Sequence, residues 1–338
     1  MKKFKLLYLS CHSIAEYDEV KLLTEMGIEV FSHGAYSNPN KPGDPKRPGI
    51  KGKHDQEFEK LCKKNPKENL SREFIKQFDV IFCHWTPEWL KENWEKMRDK
   101  VVIWRTNGQS CKANEDYMRA CREDGMKIVR YADIEKTIPG FIGQDAVIRF
   151  YKDPEEFKGW NGRRRRVINV TQNMKARAAF CGYNIFLQAT AGYPRKLYGP
   201  DNSDSGKLNG GLLSYENLKK AYRDNRAYFY TGTKPACYTL NFIEAWMTGI
   251  PIVATGGELS NPEFLEDQFT YEIPFLGKNG EHFLMADDIG LLNQYVGQLL
   301  DDPKFAKKIG DAGREQAIKL FGKDKIKKEW KNFFDSVI

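Results

Sequence analysis

The chain has 338 residues, 54 Lys+Arg against 46 Asp+Glu, and 41% hydrophobic residues, enough apolar material to fill two cores of ordinary size and to exclude a disordered polymer. No apolar run reaches the roughly 18 residues of a membrane span, and the start Met1-Lys2-Lys3-Phe4-Lys5-Leu6-Leu7-Tyr8-Leu9 is too short for a signal peptide before His12 intervenes. The expectation is a soluble, cytoplasmic protein with no integral membrane association. Cys11, Cys62, Cys83, Cys111, Cys121, Cys181 and Cys237 form no CxxC pair, so neither a disulfide framework nor a zinc site is implied and no metal is expected. The net charge of +8 is localised. Nine basic and four acidic residues fall in 41–67, ten basic and four acidic in 304–331, and the remainder is slightly negative.

In chain order, apolar runs rich in β-branched and aromatic residues alternate with helical patterns, the signature of βαβ units and a parallel sheet. Strands are expected over 5–11, 28–31, 79–84, 101–104 and 127–131, with a helix over 16–26 stopped by Gly27. The pattern breaks in a charged stretch holding Pro154 and Trp160, which reads as a linker over 151–163. A second series has strands over 166–170, 196–199, 227–230 and 251–254 and helices over 215–222 and 240–247. From 289 onward the chain is helical, with Leu292, Tyr295, Val296, Leu299 and Leu300 on one face and Ile326, Trp330, Phe333 and Phe334 on the last helix.

Ligands of open α/β sheets bind beyond the carboxyl ends of the strands. After the strand over 227–230 comes Thr231-Gly232-Thr233-Lys234-Pro235-Ala236-Cys237-Tyr238, then a helix beginning near Thr239, a Gly249 stop and another strand. Thr239 and Asn241 can present polar groups and backbone N–H at a helix N-terminus, which favours a diphosphate. Glu244, one turn on, is placed to accept hydrogen bonds from a ribose diol. Without a ligand, Thr239 is a simple N-cap and Glu244 a helix carboxylate.

The run from Tyr238 to Ala254 resembles the donor-site signature of GT-B glycosyltransferases, especially the large retaining, glycogen-synthase-like group. That resemblance implies an α/β protein of GT-B type, with two Rossmann-like domains facing across a cleft. An acceptor domain would span 1–150, the linker 151–163, a nucleotide-sugar domain 164–318, and a C-terminal helix over 319–338 would return to the first domain. It also implies a metal-independent enzyme whose donor is a nucleotide sugar, with a UDP-sugar expected. Tyr238, Thr239, Leu240 and Asn241 match the segment contacting diphosphate and sugar, and Glu244 matches the second glutamate of an E-x7-E motif. The first glutamate falls at Ala236, a departure that bears on the sugar and on retention. Lys175 and Arg177 fall where a basic pair meets the departing phosphates, and Gly199 and Asn202 where a wall for the nucleobase stands.

In the first domain the strand ending in His84 resembles the family's acceptor half, and His12 ends the first strand in the same layer. Either could orient or deprotonate an acceptor hydroxyl, whereas Asn107, near the place of a frequent catalytic histidine, cannot act as a base. Lys41, Lys46, Arg47, Lys51 and Lys53 make a proline-rich basic loop suited to an anionic acceptor. Two acceptor classes follow: a hydroxymethylated base in DNA, slightly favoured by charge, and a cell-envelope saccharide or lipid-linked sugar. The alternative to an enzyme is a nucleotide-sugar or nucleic-acid binding protein. A nicotinamide enzyme is disfavoured, since Ser10-Cys11-His12-Ser13 stands where a G-x-G-x-x-G would be needed.

Overall fold

A computed structural model describes residues 3–34, 56–108, 111–261 and 269–338. The chain divides into two compact units, 1–151 with 324–338, and 152–323. Lys41, Lys46, Arg47, Lys51 and Lys53 lie outside the described residues.

The first unit holds β1 (Lys5–Ser10), β2 (Glu29–His33), β3 (Val80–His84), β4 (Val101–Arg105), β5 (Lys127–Arg130) and β6 (Ala146–Val147). They lie in the order β2-β1-β3-β4-β5-β6, and all pairs are parallel. A parallel sheet needs cover on both faces, and the strand residues divide between two cores accordingly. Leu7, Leu9, Ile81, Cys83 and Trp104 face one cluster, with Phe74, Trp94 and Met118. Leu6, Tyr8, Val80, Phe82 and Ile103 face the other, whose cover includes Ile326, Trp330, Phe333 and Phe334 of the helix Lys323–Val337. The wet face of that helix carries the Lys325–Glu329 and Lys331–Asp335 pairs, at 3.0 and 2.5 Å, each worth a few tenths of a kcal/mol at most.

The second unit holds β7 (Arg164–Val170), β8 (Arg195–Tyr198), β9 (Asn225–Tyr230), β10 (Ile252–Thr255) and β11 (Leu284–Ala286). Their order is β11-β10-β9-β7-β8, again all parallel. Val167, Leu197, Phe229 and Val253 pack against Leu292, Val296, Leu299 and Leu300 of the helix Ile289–Asp301. In both sheets the order reverses near the middle, between β1 and β3 and between β9 and β7. Connections diverge there and leave a crevice beyond the strand ends.

The stretch expected as a linker has partners of its own within the second unit. The Lys152 N–H donates to the Phe321 carbonyl at 3.1 Å, the Asn161 N–H to the Arg223 carbonyl at 2.9 Å, and the Trp160 indole to the Asn225 carbonyl at 2.8 Å. Arg314 ties it further, its guanidinium donating to the Pro154 carbonyl at 2.8 Å and to the carbonyls of Phe157 and Met247.

Candidate active site

At the switch point of the second unit, β7 ends at Val170 and the chain runs through turns before the short helix Ala178–Cys181. Lys175 and Arg177 stand in these turns, ahead of the helix. Lys175 is exposed and its ammonium donates to the Asp204 carbonyl at 2.9 Å. The loop is held from the neighbouring strand end. Gly199 follows β8 with φ +127, and a Cβ there would meet the Thr171 carbonyl oxygen at 2.6 Å, so only glycine allows this approach. Asn202, 2% exposed, donates to the carbonyls of Thr171 at 2.7 Å and Gly199 at 3.2 Å and accepts from the Met174 N–H at 2.9 Å. Its amide is therefore spent within the protein. Asn202, which the sequence places at a wall for the nucleobase, clamps the loop that carries Lys175.

The loop after β9 is stitched to the same region. The Thr231 hydroxyl donates to the Cys181 carbonyl at 2.6 Å and the Lys234 N–H to the Phe180 carbonyl at 2.9 Å. Gly182, φ +66, lets the chain pass beneath Thr231, whose Cβ would lie 2.9 Å from an added methyl. Thr239 is the N-cap of the helix Leu240–Thr248, yet its side chain makes no cap bond. The hydroxyl meets the Tyr230 hydroxyl at 3.2 Å and bonds the Asn241 amide oxygen, while the Asn241 amide nitrogen bonds the Val170 carbonyl. The N–H groups of Leu240 and Asn241 have no partner among the described residues. They are free donors at the positive end of a helix, beside the ends of β7 and β9. Tyr238 is buried edge-on against Phe321, with centroids 5.2 Å apart.

Glu244 is 3% exposed. One carboxylate oxygen receives the Lys152 ammonium at 2.6 Å and the other the Tyr222 hydroxyl at 3.4 Å. Glu244, placed by the sequence to meet a ribose diol, is in a buried ion pair with Lys152. Its partner was missed because Lys152 lies 92 residues away in sequence, in a stretch with no periodic pattern.

In the first unit the ends of β1, β3 and β4 align Ser10, His84 and Arg105 in one row. All three are buried, His84 with 0% exposure. The Tyr8 hydroxyl donates to one Glu19 oxygen at 2.5 Å and lies 2.9 Å from His84 Nδ1, which assigns the proton to that ring nitrogen. Arg105 Nε donates to the other Glu19 oxygen at 2.9 Å, and its Nη1 to the carbonyls of Arg130 at 3.0 Å and Ile148 at 2.5 Å. Burial holds His84 well below the usual histidine range, with the charges of His12 and Arg105 adding to the effect. Burial likewise pushes the Glu19 carboxyl up, against the pull of Arg105 and the Tyr8 bond.

His84, expected from the sequence beside the acceptor, is a buried histidine in a polar network that the local sequence does not announce. His12 is half-buried and caps the helix Ser13–Glu25, its Nδ1 accepting from the Ala15 N–H at 3.3 Å. The two rings stack at 6.2 Å. Asn107 is half-buried and makes no hydrogen bond to the described residues. Among those residues no group of three or more His, Cys, Asp or Glu could hold a metal ion, and no helix is long and apolar enough to cross a membrane.

Two parallel α/β units, the second with a polar helix N-terminus at its switch point, define the GT-B class of architecture. No family model matches the sequence, and no curated relative matches it. Solved structures do. The sucrose-phosphate synthase of Thermosynechococcus elongatus is similar at a TM-score of 0.72 and 14% identity, covering 98% of each chain. Anabaena HepE in complex with UDP-glucose gives 0.69 at 12% identity, covering 98% of this chain and 100% of that one. An alpha-glucosyltransferase in complex with UDP-glucose and DNA containing an abasic site gives 0.63 at 11%, covering 99% and 100%. The chain has the GT-B fold of these proteins.

Proposed function

We propose that the protein is a retaining glycosyltransferase that moves a sugar from a UDP-sugar to an acceptor hydroxyl. The observation that carries this reading is the array at the switch point of the second unit. Free N–H groups of Leu240 and Asn241 stand beside the ends of β7 and β9, and Lys175 and Arg177 lie in the loop that leaves the end of β7, the Lys175 ammonium on the Asp204 carbonyl beyond β8. Such an array suits a diphosphate, and charge-assisted bonds to its oxygens strengthen as the leaving group gains charge. The bond between the anomeric carbon and the diphosphate oxygen breaks, and the acceptor oxygen bonds that carbon. The acceptor proton passes to a phosphate oxygen, so no buried histidine is called on. Lys175 and Arg177 supply the counter-charge without a metal, so chelation with EDTA is expected to leave turnover intact.

The similarity to structures holding UDP-glucose supports the donor. The acceptor is assigned to the first unit and taken to be anionic, with a hydroxymethylated DNA base preferred; the alpha-glucosyltransferase solved with DNA supports that preference. Duplex binding would lose about 0.9 log units of affinity per neutralised phosphate for each log unit of salt. Removing the charge in Lys175→Ala is expected to lower kcat by one to three orders of magnitude, about 1.4 to 4 kcal/mol, with a smaller change in KM. Steady-state kinetics with UDP-glucose check this. Unchanged kinetics would remove Lys175 from the site, and tight UDP binding without transfer to any acceptor would favour a binding protein.

A further inference from the structure

The chain leaves β3 through a turn that few residues adopt. The Thr86 N–H donates to the His84 carbonyl at 3.2 Å across a single residue, Trp85, whose φ is +80. That is a γ-turn of the strained hand, and a bulky side chain at such a φ is an outlier where glycine would fit without cost. The surroundings enforce it. The Trp85 N–H donates to the Arg105 carbonyl at 2.8 Å, and the Trp85 carbonyl accepts from the indole of the fully buried Trp104 at 2.9 Å. Both main-chain polar groups are thus fixed, while the Trp85 side chain is half-exposed and has no hydrogen-bond or ring partner among the described residues. Strain kept in this way clusters at ligand clamps and active sites.

Its position says what the indole can meet. Trp85 follows β3 where the order of the first sheet reverses, between β1 and β3, and ligands of open α/β sheets bind beyond the carboxyl ends of strands at such a point. Ser10, the register partner of His84, ends β1, and its carbonyl receives the half-buried Lys67 ammonium at 2.8 Å. That ammonium also stands 4.6 Å from the centre of the Trp89 ring. The Thr86 hydroxyl donates to the exposed Cys11 sulfur at 3.4 Å, which joins the loops after β1 and β3. Adjacent strand ends therefore bring an indole face and a cation to one switch point, and that pairing of stacking surface with positive charge suits a nucleotide.

We infer that Trp85 is the stacking platform for the acceptor base, with Lys67 beside it for a phosphate of the same strand. This rests on the DNA reading of the acceptor, and the base reaches the indole once it is turned out of the duplex stack.

Fluorescence anisotropy on the full chain tests this with three labelled probes: a duplex carrying one hydroxymethylated cytosine, the same duplex with an abasic site in its place, and a neutral oligosaccharide. Trp85→Ala is expected to weaken the hydroxymethylated duplex about tenfold and to leave the abasic duplex, whose binding reports an intact first unit, unchanged; Trp85→Phe recovers most of the loss. Lys67→Met is expected to weaken both duplexes alike and to lower the salt slope by about 0.9. Trp85→Gly loses the same indole but suits the turn, so it is expected to melt above Trp85→Ala. Equal weakening of both duplexes by Trp85→Ala is the mark of a structural role and overturns the inference, as does a Trp85→Ala that melts no lower than Trp85→Gly. A wild type that transfers sugar to the hydroxymethylated duplex, with Trp85→Ala binding that duplex as tightly, refutes the platform and leaves the DNA reading standing. A wild type that ignores both duplexes and binds the oligosaccharide through Trp85 overturns the DNA reading and the base assignment together.

Discussion

The Lys152–Glu244 pair shows how a side chain can be singled out correctly by position and still be read incompletely. Glu244 was legible because a strand, a loop and a helix start fix its place in the register; its counter-ion was not, because nothing local marks a partner 92 residues away. Removing one member of a buried pair leaves an uncompensated charge. Lys152→Met is therefore expected to cost about 3–5 kcal/mol in urea denaturation, and adding Glu244→Gln to recover much of it; a neutral Lys152→Met would show the pair to be solvated. Lys234 titrates near 8 in the fold, lowered from 10.5 chiefly by burial and partly restored by Cys181. Between those two values the unfolded chain holds a proton that the folded chain has shed, so this group makes ligand-free stability rise with pH across that window. The buried Cys181, Cys83 and Cys121 thiols, raised by burial, act in the opposite sense. The difference between wild type and Lys234→Met, measured from pH 7 to 10, isolates the lysine, and its absence would place the ammonium in water.

At the scale of elements, strands buried on both faces were readable as continuous apolar runs, and the helix Leu240–Thr248 as a segment between a polar start and a glycine stop. β6 and β11, of 2 and 3 residues, are too short to carry a period and appear only through their neighbours. The buried polar network below the ends of β1, β3 and β4 was hidden for another reason: Tyr8, Glu19 and Arg105 belong to a strand, a helix and another strand, and meet only when the helix packs on the sheet. The helix Lys323–Val337 was legible from its apolar stripe, and the structure gives that stripe its object. Trp330 is fully buried and stands 5.5 Å from Phe82 and Phe334. Trp330→Ala is expected to destabilise the first unit by about 3–5 kcal/mol, visible as a lower denaturation midpoint. A shift below about 1 kcal/mol would mean the helix is dispensable to that core.

For the whole molecule, alternation of strand and helix gave the class of each unit, and the reversal of strand order directed attention to the loops that carry Lys175, Arg177, Lys234 and Thr239. The net charge of +8 gathers in the basic segment 41–67, part of which lies outside the described residues, and in the last two helices, where Lys307, Lys325 and Lys331 meet carboxylates on the same helix. The direct measurement is sugar transfer from UDP-glucose and other UDP-sugars, counted on hydroxymethylated duplex DNA, unmodified duplex and neutral oligosaccharide alongside released UDP. The account predicts UDP and glycosylated product in equal amounts on an acceptor hydroxyl, greatest on the hydroxymethylated duplex and strongly reduced by Lys175→Ala. UDP binding with no sugar transferred to any acceptor would contradict it.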